Sequence, residues 1–451
     1  MAASLFDSAL YARLLPSGDA GRLFSDSAEV RAMMLVEGAL ARVQGDLGVI
    51  PAESAAFLHR ATMEIQLDPA GMAEATGQNG VTVPGLVAAM RKALEAPGHA
   101  QYLHWGATSQ DIMDTGLMLR LKQVLAQMTV ALDATLAALA VLADAQADTP
   151  MAARTYGQAA TPTSFGAVVA EWGAPLLELR GEFAALPHAA RWVQLAGAAG
   201  TAAALGPSAP EQRRRLAAAL GLHDPGRSWH ADRTPILRIG GVMARLAAAL
   251  GKIGEDMVLM TQTGVAELTL GQSGGSSTMP QKQNPVVPSM LMALARHAIG
   301  LHATLQGAAL HRQQRDGVAW FTEWLVLPQL CLSAQSALIQ TRDLIPGIAP
   351  RSDRMRAVLT GDQNLIHAEA LSFRLAEHLP RPEAQAAIKA LAQDAIRSGA
   401  DLADLARAAY PGIAMDDVFA PEAQMGHAPA DARAFAARVR AALDNVKSGA
   451  P

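Results

Sequence analysis

The chain has 451 residues, 51% hydrophobic and 17% charged, a balance that suits two or three domains with much buried surface. Its formal net charge is -4 with acids and bases mixed along its length, so neither a basic stripe for nucleic acid nor an acidic tail is present. One cysteine, Cys331, excludes an intrachain disulfide and fits a reducing, cytoplasmic setting.

The first ten residues lack a basic segment followed by an apolar core, so they do not read as a secretory signal. Ala and Leu dominate and aromatics are only 4%, which predicts an all-α protein. Residues 1–108 read as short helices broken at Pro16-Ser17-Gly18, Pro51 and Pro69-Ala70-Gly71. Within them, 27–47 is an amphipathic helix with Val30, Met34, Leu35, Leu40 and Val43 on its apolar face.

From Ser109 to Ala147 the texture changes. Leu121, Val124, Met128, Leu132, Leu136, Leu139 and Leu142 recur in steps of three and four, one helical stripe about 50 Å long. Arg120, Lys122 and Asp133 interrupt the greasy run from Leu119 to Ala143, so it reads as a buried helix and not a membrane span. Further long helices are predicted at 162–186, 236–268 and 286–314, the last opened by Asn284 as cap and Pro285 as first helical residue. Residues 109–350 then form a central bundle of long helices. Prolines at 350, 380, 382, 411 and 421 punctuate 351–451, which reads as a small C-terminal helical domain.

The segment Gly275-Ser-Ser-Thr-Met-Pro-Gln-Lys-Gln-Asn-Pro285 carries the strongest chemical signal. Gly274 and Gly275 permit tight turning, Lys282 supplies a positive charge and Asn284 an amide donor. Together they can hold a carboxylate while a serine oxyanion takes a proton. That base requires exclusion of water and backbone N–H groups aimed at the alkoxide, because a serine pKa is otherwise far too high. A Gly-Ser linker entering a capped helix is the bland alternative, and it leaves Met279-Pro280 and Lys282 unexplained. A second segment, His104-Trp-Gly-Ala-Thr-Ser-Gln-Asp111, places Thr108 and Ser109 at a helix start. That is a natural anion site, and it is compatible with Ser109 or Asp111 acting as a cap.

These two segments resemble the fumarase/aspartase superfamily, whose loop reads Gly-Ser-Ser-x-Met-Pro-x-Lys-x-Asn-Pro and whose second segment reads Gly-x-Thr-Ser-x-Asp. The resemblance implies a three-domain helical fold and a homotetramer with active sites shared between subunits. It also implies a small-molecule carboxylate substrate, no organic cofactor and no catalytic metal. By that pattern Ser276 is the catalytic base, with Lys282 and Asn284 on substrate carboxylate. His104, Thr108, Ser109, Thr155, Gln158, Ser277 and Met279 then line the substrate.

Two positions depart from the lyase pattern. Where lyases have Thr-His-Gly-Gln, with the histidine protonating the leaving group, this chain has Thr155-Tyr156-Gly157-Gln158. The glutamate that supports that histidine, thirteen residues after the serine, is Ser289 here. A carboxylate leaving group needs no proton, since it is already a stable anion. The double loss therefore points to the cycloisomerase branch, which lactonises 3-carboxy-cis,cis-muconate, a tricarboxylate. The segment Arg315-Asp-Gly-Val-Ala-Trp320-Phe-Thr-Glu-Trp324 also resembles that branch, with the aromatics read mainly as packing. The alternatives are an adenylosuccinate- or argininosuccinate-type lyase and a non-catalytic structural relative. The twelve histidines show no metal-ligand spacing. Arg227, His230 and Arg233 read as a loop that either meets an anionic substrate or is solvated.

Overall fold

The computed structural model describes residues 4–271, 274, 275, 279 and 281–447. Among the described residues the chain is all-α apart from six short strands. The six longest helices among the described residues are α1 (Asp26–Asp46), α2 (Ser109–Ala145), α3 (Phe165–Ala189), α4 (Thr234–Met260), α5 (Val286–Gly307) and α6 (Gly317–Leu344). The chain divides into two compact units. One holds 1–131, 179–248 and 293–339, the other 132–178, 249–292 and 340–451.

In the first unit, the Ser25 hydroxyl caps α1 by accepting from the Ala28 N–H at 3.3 Å. Val30, Met34, Leu40 and Val43 are buried as their spacing predicts, but Leu35 is only half-buried. Met33, Val36 and Glu37 are buried too, so α1 is enclosed on more than one face. In α2, whose residues from Leu132 onward belong to the second unit, the stripe of Leu121, Val124, Met128, Leu132, Leu136 and Leu139 is buried, while Leu142 is half-buried. Both α2 and α5 are long and apolar enough to cross a membrane by length and composition. The buried charges of α2 are paired instead, Arg120 with Glu29 at 3.3 Å and Asp114 with Arg233 at 2.8 Å. A helix core furnishes such partners, and a lipid chain does not.

In the second unit, β1 (Pro150–Thr155) and β2 (Gln158–Ser164) form an antiparallel hairpin where a helix was expected from 162. Thr161, Thr163 and the prolines at 150 and 162 favour extended backbone there, and α3 begins only at Phe165. Strands β3 (Leu268–Thr269) and β6 (Ala349–Pro350) pair antiparallel, and α4 ends at Met260 instead of 268, followed by turns through 262–266. Strands β4 (Gly274–Gly275) and β5 (Gln283–Asn284) close the neck of the 275–285 segment. Asn284 is therefore a strand residue, and the Ser289 N–H bonds to the Pro285 carbonyl at 3.0 Å, so Pro285 takes the cap position predicted for Asn284. α5 stops at Gly307, seven residues earlier than the pattern suggests, where consecutive turns carry the chain to Leu310. Leu371, Leu375, Ala384, Leu402, Met415 and Val418 make a separate apolar cluster among the C-terminal helices.

Candidate active site

The turn before α2 is built around Asp111. Its carboxylate accepts from the backbone N–H of Thr108 at 3.0 Å, Ala196 at 2.9 Å and Gly197 at 2.9 Å, and bonds His230 Nε2 at 3.0 Å. The reach back to Thr108 is one half of a capping box, with Thr108 as the cap and Asp111 three residues on. The cap is thus Thr108, where Ser109 or Asp111 was expected. A buried carboxylate with four donors is fully satisfied, which explains why an aspartate ends this motif. Gly106 stands at φ +72°, and a Cβ there would lie 2.9 Å from the Ala204 carbonyl oxygen, so the turn needs glycine.

Around that scaffold, His104, Thr108 and Ser109 are all half-buried. His104 adopts φ 63°, a left-handed conformation uncommon outside glycine. Its Nδ1 meets Glu37 Oε1 at 2.6 Å. Arg315, exposed just before α6, donates to Gln110 Oε1 at 2.8 Å, to the Thr108 hydroxyl at 3.2 Å and to the Ala198 carbonyl at 3.3 Å. Histidine, threonine and arginine thereby gather at one helix start, an arrangement suited to a carboxylate. Sequence spacing does not reveal Arg315 as part of it, because it lies 207 residues from Thr108. Glu37 left one signal: an acid flanked by Met33, Val36 and Leu40 on the buried stripe of α1.

Arg227, His230 and Arg233 turn out to be structural. Arg233 has no exposed side-chain surface and forms bidentate bonds to Asp114, at 2.8 and 3.0 Å, and Glu323, at 2.6 and 2.7 Å. Burial alone would lower its pKa, but the two carboxylates outweigh burial and raise it. Its guanidinium also lies 4.7 Å from the Trp229 ring centre. His230 serves Asp111, and Arg227 pairs with Asp232. A cavity of about 680 Å³ borders this triad, lined by Met33, Met72, Met113, Trp320, Glu323 and Trp324 among others, and holds none of the sequence-predicted site residues. Trp324 packs on both Trp320 and Phe321, with ring centres 4.9 Å apart in each pair.

In the second unit, Thr155 and Gln158 are paired at the end of the hairpin, and both are exposed. Tyr156 and Gly157 form the two-residue connection, with φ of 52° and 76°. Positive φ at both positions marks the turn that matches strand twist. Tyr156 is fully exposed there. The hairpin is anchored by Arg154, whose guanidinium makes bonds of 2.8 and 2.7 Å to the buried Glu267 at the root of the 275–285 segment. Lys282 and Met279 are exposed and Asn284 is half-buried. Among the described residues no hydrogen bond joins Thr155 or Gln158 to Lys282 or Asn284. Ser276 and Ser277 lie outside the described residues. The Ser289 hydroxyl donates back to the Pro285 carbonyl at 2.8 Å on an exposed helix face.

Residues 23–300 match the lyase family. The chain belongs to this lyase family of the fumarase/aspartase superfamily. Family members similar to it include the 3-carboxy-cis,cis-muconate cycloisomerase of Bradyrhizobium diazoefficiens, 36% identical over 394 residues, covering 86% of this chain and 87% of that protein. The nitrosuccinate lyase of Streptomyces davaonensis is 35% identical over 447 residues, covering 95% of this chain and 94% of its own. In structure, the 3-carboxy-cis,cis-muconate lactonizing enzyme of Pseudomonas putida matches with a TM-score of 0.90 at 30% identity, over 96% of this chain and 99% of that one. Family membership makes the chain an enzyme fold acting on small molecules.

Proposed function

We propose that this chain is a cycloisomerase interconverting 3-carboxy-cis,cis-muconate and 4-carboxymuconolactone, a step in protocatechuate breakdown by the β-ketoadipate route. The observation that carries the reading is the pair Tyr156 and Ser289. Tyr156 and Ser289 stand where the lyase pattern has its histidine and glutamate; Tyr156 is exposed at the hairpin tip and the Ser289 hydroxyl bonds back to its own helix, which supports a reaction that needs no His–Glu proton donor. The reaction suits that loss. One carboxylate oxygen of the diene adds to the ring-forming carbon, and charge passes through the neighbouring carbon into another carboxylate as an enolate-like dianion. Lys282, Asn284, Thr108, Ser109 and Gln158 stabilise that charge, with His104, Thr155, Ser277 and Met279 lining the substrate. Ser276 delivers the proton to carbon in this direction and removes it in reverse.

The same reading includes a cytoplasmic homotetramer whose active sites draw on several subunits. Supporting it are the exposed tip residues Thr155 and Gln158 and the exposed apolar side chains Val130, Val141, Ile299 and Leu325.

Elimination of nitrite from nitrosuccinate is a second reading, favoured by the match to a nitrosuccinate lyase over 95% of this chain. Nitrite is also a weak base that leaves without a proton, so the Tyr156 and Ser289 argument extends to it. Purified protein offered 3-carboxymuconate, nitrosuccinate, adenylosuccinate and argininosuccinate in parallel separates the readings. We expect turnover of the first. Turnover of nitrosuccinate alone supports the second reading, and turnover of adenylosuccinate alone sinks both. Ser276→Ala should lower kcat by ~10²–10⁴, the range of a lost acid–base group, while Tyr156→Phe keeps most of it. Equal damage by the two would overturn the argument from the missing acid.

A further inference from the structure

We infer that Glu37 is a positioning residue that holds His104 as an imidazolium, so that the turn before α2 binds a substrate carboxylate through a charged histidine. The inference rests on the reading above, in which His104 lines the substrate. Glu37 sits in the middle of α1 and is 1% exposed. A carboxylate so placed needs a charged or donating partner. Its Oε1 has one in His104 Nδ1 at 2.6 Å, at the short end for a charge-assisted bond. Its Oε2 has no hydrogen-bond partner among the described residues.

His104 is held in the left-handed backbone region at φ 63°. That is a cost a protein sustains where a side chain must be aimed. With Nδ1 engaged, Nε2 is the remaining donor of the ring, and it makes no hydrogen bond among the described residues. The ring keeps 19% of its surface open, so a ligand can reach it. Three charged groups face the ring: Glu37 from α1, Asp111 from α2 and Arg91 from the helix Val83–Leu94. Burial disfavours the charged ring and so does Arg91, but the Glu37 hydrogen bond and the charges of Glu37 and Asp111 prevail, and the pKa lies above its ordinary 6.5. The imidazolium is therefore held to higher pH than an ordinary histidine and is lost as pH rises past that raised value. Substrate binding should weaken over the same interval.

The test pairs kinetics with spectroscopy on the full-length protein. KM for 3-carboxymuconate is measured from acid to alkaline pH in the wild type and in Glu37→Gln. Histidine ring NMR follows His104 in both, its signal assigned by its loss in His104→Gln. In the wild type His104 should titrate above 6.5, and in Glu37→Gln at a lower pH than in the wild type. The KM of the variant should exceed that of the wild type by a factor that grows toward alkaline pH, reaching about tenfold. Glu37→Asp should restore much of the wild-type pH profile. A purely structural Glu37 would change KM by one factor at every pH, and that result overturns the inference. So does a wild-type His104 that titrates at or below 6.5. If 3-carboxymuconate is not turned over at all, the assigned activity has failed. The NMR titration and the pH dependence of propane-1,2,3-tricarboxylate binding then decide the role of Glu37 on their own.

Discussion

Arg233 shows how a sequence-level candidate can be reassigned by its neighbours. An arginine in a loop rich in Arg and His invites an anionic ligand, but here both its ligands are internal: Asp114 of α2 and Glu323 of α6. All three groups are buried and Arg233 is the cation between two carboxylates, so removing it strands like charges in the interior. We expect Arg233→Gln to destabilise the fold by about 3–5 kcal/mol, read as a lower urea midpoint. Arg214→Ala, which breaks a surface pair with Glu211, should leave the midpoint unchanged. Equal effects of the two classes would show that the triad carries no special share of stability. Ser289 makes the complementary point. Its identity alone removed a glutamate from the expected proton relay, and its back-bond to Pro285 gives the hydroxyl an ordinary helical use.

At the scale of elements, the differences between expectation and structure fall at helix ends and in one hairpin. The helical period continues locally past Met260 and Gly307, but pairing of Leu268 with Pro350 takes over one of these tails. Strand pairing joins residues far apart in the chain, which periodicity cannot register. The hairpin at 150–164 was missed for a related reason: its turn is Tyr-Gly, not the usual Asn-Gly or Asp-Gly. The first turn of α3 is pressed against the end of α2 and the turn that follows. A Cβ on Gly166 would lie 2.4 Å from the Ala143 carbonyl oxygen and 2.7 Å from Ala147. Both contacts are backbone and cannot swing away, so Gly166→Ala should destabilise by about 1–3 kcal/mol despite alanine's better helix propensity. A thermal melt at or above that of the parent would contradict this close approach.

At the scale of the whole molecule, the proposed shared sites make a prediction about mixtures. If Gln158 and Ser276 of different subunits serve one site, then Gln158→Ala and Ser276→Ala variants, each impaired alone, should regain activity when dissociated together and reassociated. Mixed tetramers would contain some sites with both residues intact. No recovery, in preparations verified to exchange subunits, would mean that each site is built within one chain.

Much of the chemistry was legible beforehand because it is local. The helical stripe of α2 and the 104–111 and 275–285 segments depend on residues a few positions apart, and periodicity, capping and motif spacing act over that range; Tyr156 and Ser289 were each placed by counting from a local motif. The tertiary structure alone decided which long-range partners complete those segments. Glu37 reaches His104 across 67 residues, Arg315 reaches Thr108 across 207, and Arg154 reaches Glu267 across 113. Buried or half-buried polar groups must find partners wherever folding brings them, and order along the chain does not say where that is.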